Sequence, residues 1–406
     1  MEEALFSGIR VLDCASFVAA PAAATLMSDF GADVIKIEPL SGETYRWAYR
    51  GVQPTPEHNF LWMIGSRNKR SLAIDLKSPK GFATFERLID TADVFITNMP
   101  LSARKRLKIG YDDLASTRPR LIYASFSAYG ESGPDSEKGG YDITAYSART
   151  GIMHFARAGA QADPLTPGAG LGDQSVGVAL YAAIVSALFR RERTGKGGQV
   201  GASLLSAGLW ANGLPIQGKL CNVPDTQFKP RTQVDRALVN SYRCRDGRWL
   251  FLMILDEPRV PRLLEAIGRA DLGHDPRFST PDARLQNNQA LIAELDREFA
   301  KRDLKDWTAA LTAAGVTFDP VATLDDLADD AQIQAIQGLT PFVDKPDILT
   351  INTPFEVRGV KKSGPRLPPE LGQHTAEVLR EVGFSAEEIE RLAEEGVVRL
   401  GPGDAA

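Results

Sequence analysis

Residues 8–38 read GIRVLDCASFVAAPAAATLMSDFGADVIKIE, and the order of apolar runs, proline and glycine in this stretch decides the fold class. Gly8 to Leu12 is a short apolar run suited to a buried strand. A loop follows to Pro21, an alanine-rich segment closes near Gly31, and Val34 to Ile37 forms a second apolar run. Proline fits the first turn of a helix, where a missing N–H costs nothing, and glycine supplies the left-handed residue that ends one. The stretch is therefore one βαβ unit.

The same grammar continues outward. Ser71 to Leu76 reads as a strand, Ser78 and Pro79 as the cap and first position of a helix, and Val94 to Ile96 and Leu121 to Ala124 as further strands. Strands alternating with helices imply an α/β fold, with a doubly wound, mostly parallel, Rossmann-like sheet. From Leu171 to Phe189 the chain is apolar almost all round and is followed by Arg190, Arg191 and Arg193, the pattern of a buried helix with cations at its C-terminal end. Beyond residue 215 the pattern changes. A hairpin signal at Arg245-Asp246-Gly247-Arg248 and helix-like stretches near 259–268, 288–301 and 304–314 predict a smaller α+β domain. The expected division is a large domain over 1–215, a small domain over 216–335, and a return segment, 336–406, that completes the large domain.

Composition excludes several functions. The chain has 406 residues, 43% hydrophobic and 24% charged, and a net charge of -5, so it has no global attraction to nucleic acid or an anionic membrane surface. The start Met1-Glu2-Glu3-Ala4 has no basic and apolar leader, and no apolar run approaches the ~20 residues that span a bilayer. Cys14, Cys221 and Cys244 are far apart, which gives neither a disulfide framework nor a CxxC site. A cytoplasmic protein is expected, without nucleic-acid or membrane partners.

Among residues able to carry chemistry, Asp173 follows the glycine-rich run Pro167 to Gly172 at the predicted start of the long apolar helix. Free N–H groups and the helix dipole favour a carboxylate there, and a capping role alone accounts for both its type and its place. Arg67, Lys69, Arg70, Lys77, Arg104, Lys105 and Arg106 fall near predicted strand ends, where open sheets bind phosphorylated ligands, although on pattern alone solvated surface charge is the favoured reading. The turn after the first strand lacks GxGxxG, and no P-loop, GxSxG elbow or HxxxH pair occurs. His58, His154, His274 and His374 are isolated, so no metal site is expected.

Taken together, six ordered segments resemble the family III CoA-transferases, the group that includes formyl-CoA transferase and carnitine CoA-transferase. They are Gly8 to Glu38, Arg67 to Lys77 (RNKRSLAIDLK), Ala92 to Asn98 (ADVFITN), Pro119 to Gly133 (PRLIYASFSAYGESG), Gly172 to Gln199 with Asp173 and RTGKGGQ, and Leu371 to Thr375 (LGQHT). The resemblance implies that Asp173 is a nucleophile that attacks an acyl-CoA thioester, and that the molecule is an intertwined homodimer. Coenzyme A, as substrate or product thioester, would meet Phe17, Val18, Ile74, Lys77, Asn98, Met99, Ala103, Arg106 and Tyr129, with Lys77 and Arg106 facing phosphate.

The partners implied are an acyl-CoA and a small carboxylic acid. Intramolecular CoA transfer would use the same residues. The same fold also includes α-methylacyl-CoA racemase, whose Gly-His-Asp motif reads Gly140-Tyr141-Asp142 here. A tyrosine, with a reference pKa near 10, is poorly matched to removing an α-proton at neutral pH. Formyl-CoA transferase has glutamine where this chain has Val18, and its small-domain glycine loop has no counterpart here, so oxalate is not the expected substrate.

Overall fold

The fold is described from a computed structural model, over residues 4–224 and 229–402. The chain divides into two compact units. One comprises Met1–Ile152, Thr166–Ile216 and Gln332–Ala406, and the other Met153–Leu165 and Gln217–Ala331.

The first unit is built on a seven-stranded sheet. Its parallel strands are β1 (Arg10–Cys14), β2 (Asp33–Glu38), β3 (Arg70–Ile74), β4 (Val94–Thr97), β5 (Ile122–Ser127) and β6 (Gly198–Ser203). They lie in the order β3-β2-β1-β4-β5-β6, so the winding direction reverses between β1 and β4, the place where doubly wound sheets open a ligand crevice at their carboxyl edge. Successive residues of β1 serve opposite layers. Val11 enters the core on one face with the helices Ala19–Asp29 and Leu171–Thr194, and Leu12 enters the core on the other with the helices Pro79–Ile89, Thr375–Glu381 and Ala386–Glu394.

The helix Pro79–Ile89 starts as its sequence predicts, with Ser78 Oγ accepting from the Gly81 amide at 3.0 Å. The helix Leu171–Thr194 departs from the expectation of burial all round. Gly172, Val176, Gly177, Leu180, Ile184, Ala187, Leu188 and Arg191 form one buried stripe, while Val178 and Phe189 are 38% and 64% exposed. It has the length and apolar composition of a membrane span, and its buried stripe packs against the helix Ala19–Asp29. Gly177 permits the close approach, because a Cβ there would lie 2.8 Å from that of Ala22. Arg191 does more than face the helix dipole, since its guanidinium pairs with Asp93 at 2.8 Å.

The second unit holds the expected hairpin, β7 (Val239–Arg243) and β8 (Trp249–Met253), with Gly247 at φ +83° in the turn, and adds a third strand, β9 (Phe318–Pro320). Helices Arg259–Ala266, Asn288–Phe299 and Leu304–Ala313 cover a core that includes Tyr242, Leu295, Phe299 and Trp307. In the returning segment β10 (Leu339–Pro341) pairs with β11 (Leu349–Ile351), and β12 (Val398–Arg399) joins the large sheet antiparallel to β3. The LGQHT run secures that edge: the Gly372 amide donates to Ser71 Oγ at 2.9 Å, and His374 Nδ1 accepts from the Ser71 amide at 3.2 Å.

Candidate active site

At the carboxyl edge, the reversal between β1 and β4 is bridged by one side chain. Asn98, just past β4, accepts from the Ser16 amide at 2.9 Å and donates to the Ser16 carbonyl at 2.7 Å. The next residue, Phe17, stands at φ +64°, a region that non-glycine residues enter at a cost of ~1–3 kcal/mol unless their surroundings hold them there.

The surroundings here are a buried charge cluster. Lys36 Nζ donates to the Ala15 carbonyl, and Lys69 Nζ binds Asp13 at 2.8 Å and the carbonyls of Pro21 and Gly65 at 2.8 and 2.7 Å. Burial opposes the charge on Asp13, but Lys36 and Lys69 outweigh it and hold the carboxyl below its usual range. Burial lowers Lys69 to about 8, and it raises Glu43, whose carboxylate lies 3.5 Å from Lys36, to about 7.

Three of the basic positions predicted for the ligand edge lie elsewhere. Arg70 begins β3 and Arg67 and Lys69 precede it, which puts them at the amino end. Arg67 is bound to Asp29 at 2.7 Å, and Arg70 to Asp33 at 2.6 Å and Glu381 at 2.7 Å. Arg104 is buried against Glu131. Lys77, Lys105 and Arg106 are exposed, Lys77 just past β3 and the other two on the helix Leu101–Leu107 that follows β4.

The remaining CoA candidates lie on the same side of the sheet. Val18 is buried as the residue before the helix Ala19–Asp29, Met99 and Ala103 are partly buried beyond β4, and Tyr129 follows β5 with Lys138 over its ring at 5.1 Å. Ile74 has its side chain in the hydrophobic core, which leaves its backbone at the end of β3.

Asp173 is not the cap that its position suggests. Gly170, at φ +89°, occupies the cap position, the helix begins at Leu171, and Asp173 sits in its first turn with no capping bond. No described residue hydrogen-bonds its carboxylate. Burial, with the charge of Asp142 adding to it, pushes the carboxyl up to about 6, so the dipole's favourable effect on the anion is outweighed.

Asp142 opens a π-helical turn, Asp142–Ala148, a rare form often found at functional sites. Its Oδ1 accepts from the Gly172 amide at 3.1 Å, its Oδ2 is buried without a partner among the described residues, and burial raises its pKa. The Gly172 amide, at the end of the glycine-rich loop that sequence offered as a source of oxyanion donors, is therefore directed at a second carboxylate.

Tyr45, which the sequence reading missed, completes the group. Its half-buried hydroxyl has no hydrogen-bond partner among the described residues, and burial, with the charge of Asp173, pushes it up to about 12, so it remains an O–H donor. Its ring lies 5.8 Å from that of Phe17, and the Phe17 ring lies 5.8 Å from that of Tyr141, the residue before Asp142. No sequence pattern marks Tyr45, because the chain reaches Phe17 only through the turn after β2.

The sequence model of CoA-transferase family III matches residues 6–375. Over 97% of its length the chain is 31% identical to an (R)-2-hydroxy-4-methylpentanoate CoA-transferase of Clostridioides difficile, all of which is covered. It is 30% identical over 96% of its length to a succinyl-CoA:glutarate CoA-transferase of Mus musculus, covering 89% of that protein. The crystal structure of a CAIB/BAIF family protein from Brucella suis superposes with a TM-score of 0.83 at 26% identity, covering 94% of this chain and 100% of the other.

Proposed function

The chain belongs to CoA-transferase family III, and we propose that Asp173 is the nucleophile through which it moves CoA from an acyl-CoA thioester to a carboxylic acid. The observation that carries the reading is a half-buried carboxylate with no hydrogen bond from the described residues, raised to about 6, beside the sheet's carboxyl-edge crevice. Such a group is ionised at neutral pH, yet is more basic and less solvated than an ordinary aspartate, and both properties favour attack.

The atoms balance without a redox partner. An Asp173 oxygen adds to the thioester carbonyl, the C–S bond breaks, and CoA thiolate leaves a mixed anhydride. The thiolate then attacks the aspartyl carbonyl, the anhydride C–O bond breaks, and the donor acid departs as its carboxylate. The acceptor carboxylate attacks the aspartyl thioester, and the same two steps in reverse give the new acyl-CoA and free Asp173. Each addition creates an oxyanion. Tyr45 is the O–H donor we assign to it, because its hydroxyl has no partner among the described residues and the nearest loop amide, that of Gly172, is turned to Asp142.

In this reading the phosphates of CoA meet Lys77 and Arg106, and Phe17, Val18, Asn98, Met99, Ala103, Tyr129 and the Ile74 backbone line the rest of its path. The exposed apolar face of the helix Leu171–Thr194, with Val178 and Phe189, fits a homodimer, for which light scattering should give twice 44.1 kDa. The free thiols of Cys14 and Cys244, both buried, fit a reducing cytoplasm.

The test is covalent trapping. Acyl-CoA plus hydroxylamine or borohydride should modify the peptide containing Asp173, and Asp173→Ala should lose transfer by several orders of magnitude. Transfer above a tenth of the wild-type rate, or trapping on another carboxylate, would sink the mechanism.

A further inference from the structure

Two arginines of the short helix Leu101–Leu107 stand two positions apart and face opposite ways, Arg106 outward and Arg104 into the protein, where it is 4% exposed. Resting on the CoA path proposed above, we infer that Arg104 is a positioning residue for CoA: it touches no part of the ligand, and instead holds in register the loops after β4 and β5 on which the ligand rests.

The first support is the reach of its guanidinium. Nε donates to the Met99 carbonyl at 2.6 Å, Nη2 donates to the Phe126 carbonyl at 3.4 Å, and Nη1 pairs with Glu131 Oε1. Glu131 Oε2 in turn accepts from Gln199 Nε2 at 3.1 Å. Met99 follows Asn98, whose side chain binds the backbone of Ser16 in the turn after β1. A continuous polar path thus runs from β6, past the ends of β5 and β4, to β1, and Arg104 is the member that joins the loop after β4 to the loop after β5. A planar fork of five donors suits this task, whereas a lysine offers one point of attachment.

The second is what the helix lacks. It has seven residues and no side chain caps its start, and helices so short are not stable alone. Leu107 and Ile109, both packed on the core, fix its end, and Arg104, bonded back to Met99, anchors its beginning. Ala103 and Arg106 are placed through that anchor. The third is the turn that carries Tyr129. Gly130, at φ +100°, donates its amide to Ser127 Oγ at 3.0 Å and turns the chain back, which brings Glu131 to Arg104. With its fork committed to two carbonyls and a carboxylate below the surface, Arg104 is not a phosphate ligand, and a buried cation is costly to keep without such partners.

The experiment measures the Kd of the full-length protein for coenzyme A by calorimetry over a range of salt concentrations, with thermal unfolding of each variant alongside. Arg104→Met should weaken binding by ~10-fold or more in protein that remains folded, and should leave the salt dependence of Kd as in the wild type, since no phosphate contact is lost. Arg106→Ala, by contrast, should weaken binding and flatten that dependence. Arg104→Lys, which keeps the charge without the fork, should lie closer to Arg104→Met than to the wild type. Should Arg104→Met not fold, Glu131→Ala takes its place, with an expected loss of ~3-fold or more. A folded Arg104→Met, or in its absence Glu131→Ala, within about twofold of the wild type overturns the inference, and so does wild-type affinity in Arg104→Lys. A salt dependence flattened as in Arg106→Ala also overturns it, because Arg104 would then be a direct ligand. If Lys77→Ala and Arg106→Ala leave CoA binding unchanged too, the CoA path itself fails; if those two weaken it and Arg104→Met does not, only the positioning role fails.

Discussion

Asp142 Oδ1 accepts the Gly172 amide at 3.1 Å, and this one bond sets a second carboxylate beside the residue that follows Gly172 in the first turn of the long helix. Of these two acids side by side, one is bonded to backbone and the other has no hydrogen-bond partner among the described residues. In the proposed mechanism Asp142 holds the loop and lends its charge, and Asp173 carries the chemistry.

Replacing Asp142 by asparagine keeps the shape and removes the like charge. Burial remains the larger cause of the raised Asp173 pKa, so the value should fall from about 6 only part of the way toward the ordinary 3.8. If the carboxylate form is the nucleophile, as proposed, the acid limb of the pH profile for kcat/KM should move to lower pH in Asp142→Asn. An unmoved limb, with the fold intact by circular dichroism, would show that Asp142 does not tune Asp173.

Gly172 is fixed by space. A Cβ there would fall 2.4 Å from Asp142 Oδ1 and 2.4 Å from the ring of Tyr146, so alanine must push one of them away. Both belong to the π-helical turn, and displacing it breaks the bond that places Asp173. Gly172→Ala should reduce kcat by ~10-fold or more with a smaller change in KM, since a slightly misplaced nucleophile loses rate before affinity. Steady-state kinetics of the variant test this, and an unchanged kcat would refute it.

The sheet was legible because its strands are apolar runs between polar turn residues, as at Val94 to Thr97 between Asp93 and Asn98, and because helix starts such as Ser78-Pro79 separate them. β6 escaped notice because Gly198 and Gly201 dilute its pattern, and β12 because two residues have no period. At the site, Asp173 stands out in the sequence by its place after the glycine-rich loop, but the structure does not make it the cap: helix geometry begins at Leu171, and a two-residue shift turns a cap into a first-turn group. Lys69 and Arg67 were misplaced for a related reason. Sequence shows that a cation is near a strand end, but not which end, nor that Asp13 and Asp29 lie opposite.

The raised Asp173 pKa is also a statement about stability. The unfolded carboxyl ionises near 3.8 and the folded one near 6, so between these values unfolding releases a proton. The stabilisation that comes from keeping Asp173 protonated is complete below about 3.8 and is lost as pH rises through about 6, leaving the native state at neutral pH to bear the full cost of a poorly solvated anion. At ~1.4 kcal/mol per pH unit the cost is at most ~3 kcal/mol, and partial exposure of the side chain reduces it to ~1–2 kcal/mol. Asp173→Asn is nearly isosteric and removes that charge. It should abolish transfer while raising the urea midpoint at pH 7.5, with little or no gain at pH 4. The opposing loss is the helix-dipole attraction for the anion, ~0.3–1 kcal/mol, which is smaller than the burial it competes with. A midpoint at pH 7.5 equal to or below that of the wild type would mean that the carboxylate is better solvated than its surroundings indicate, and would remove the physical basis for its enhanced basicity as a nucleophile.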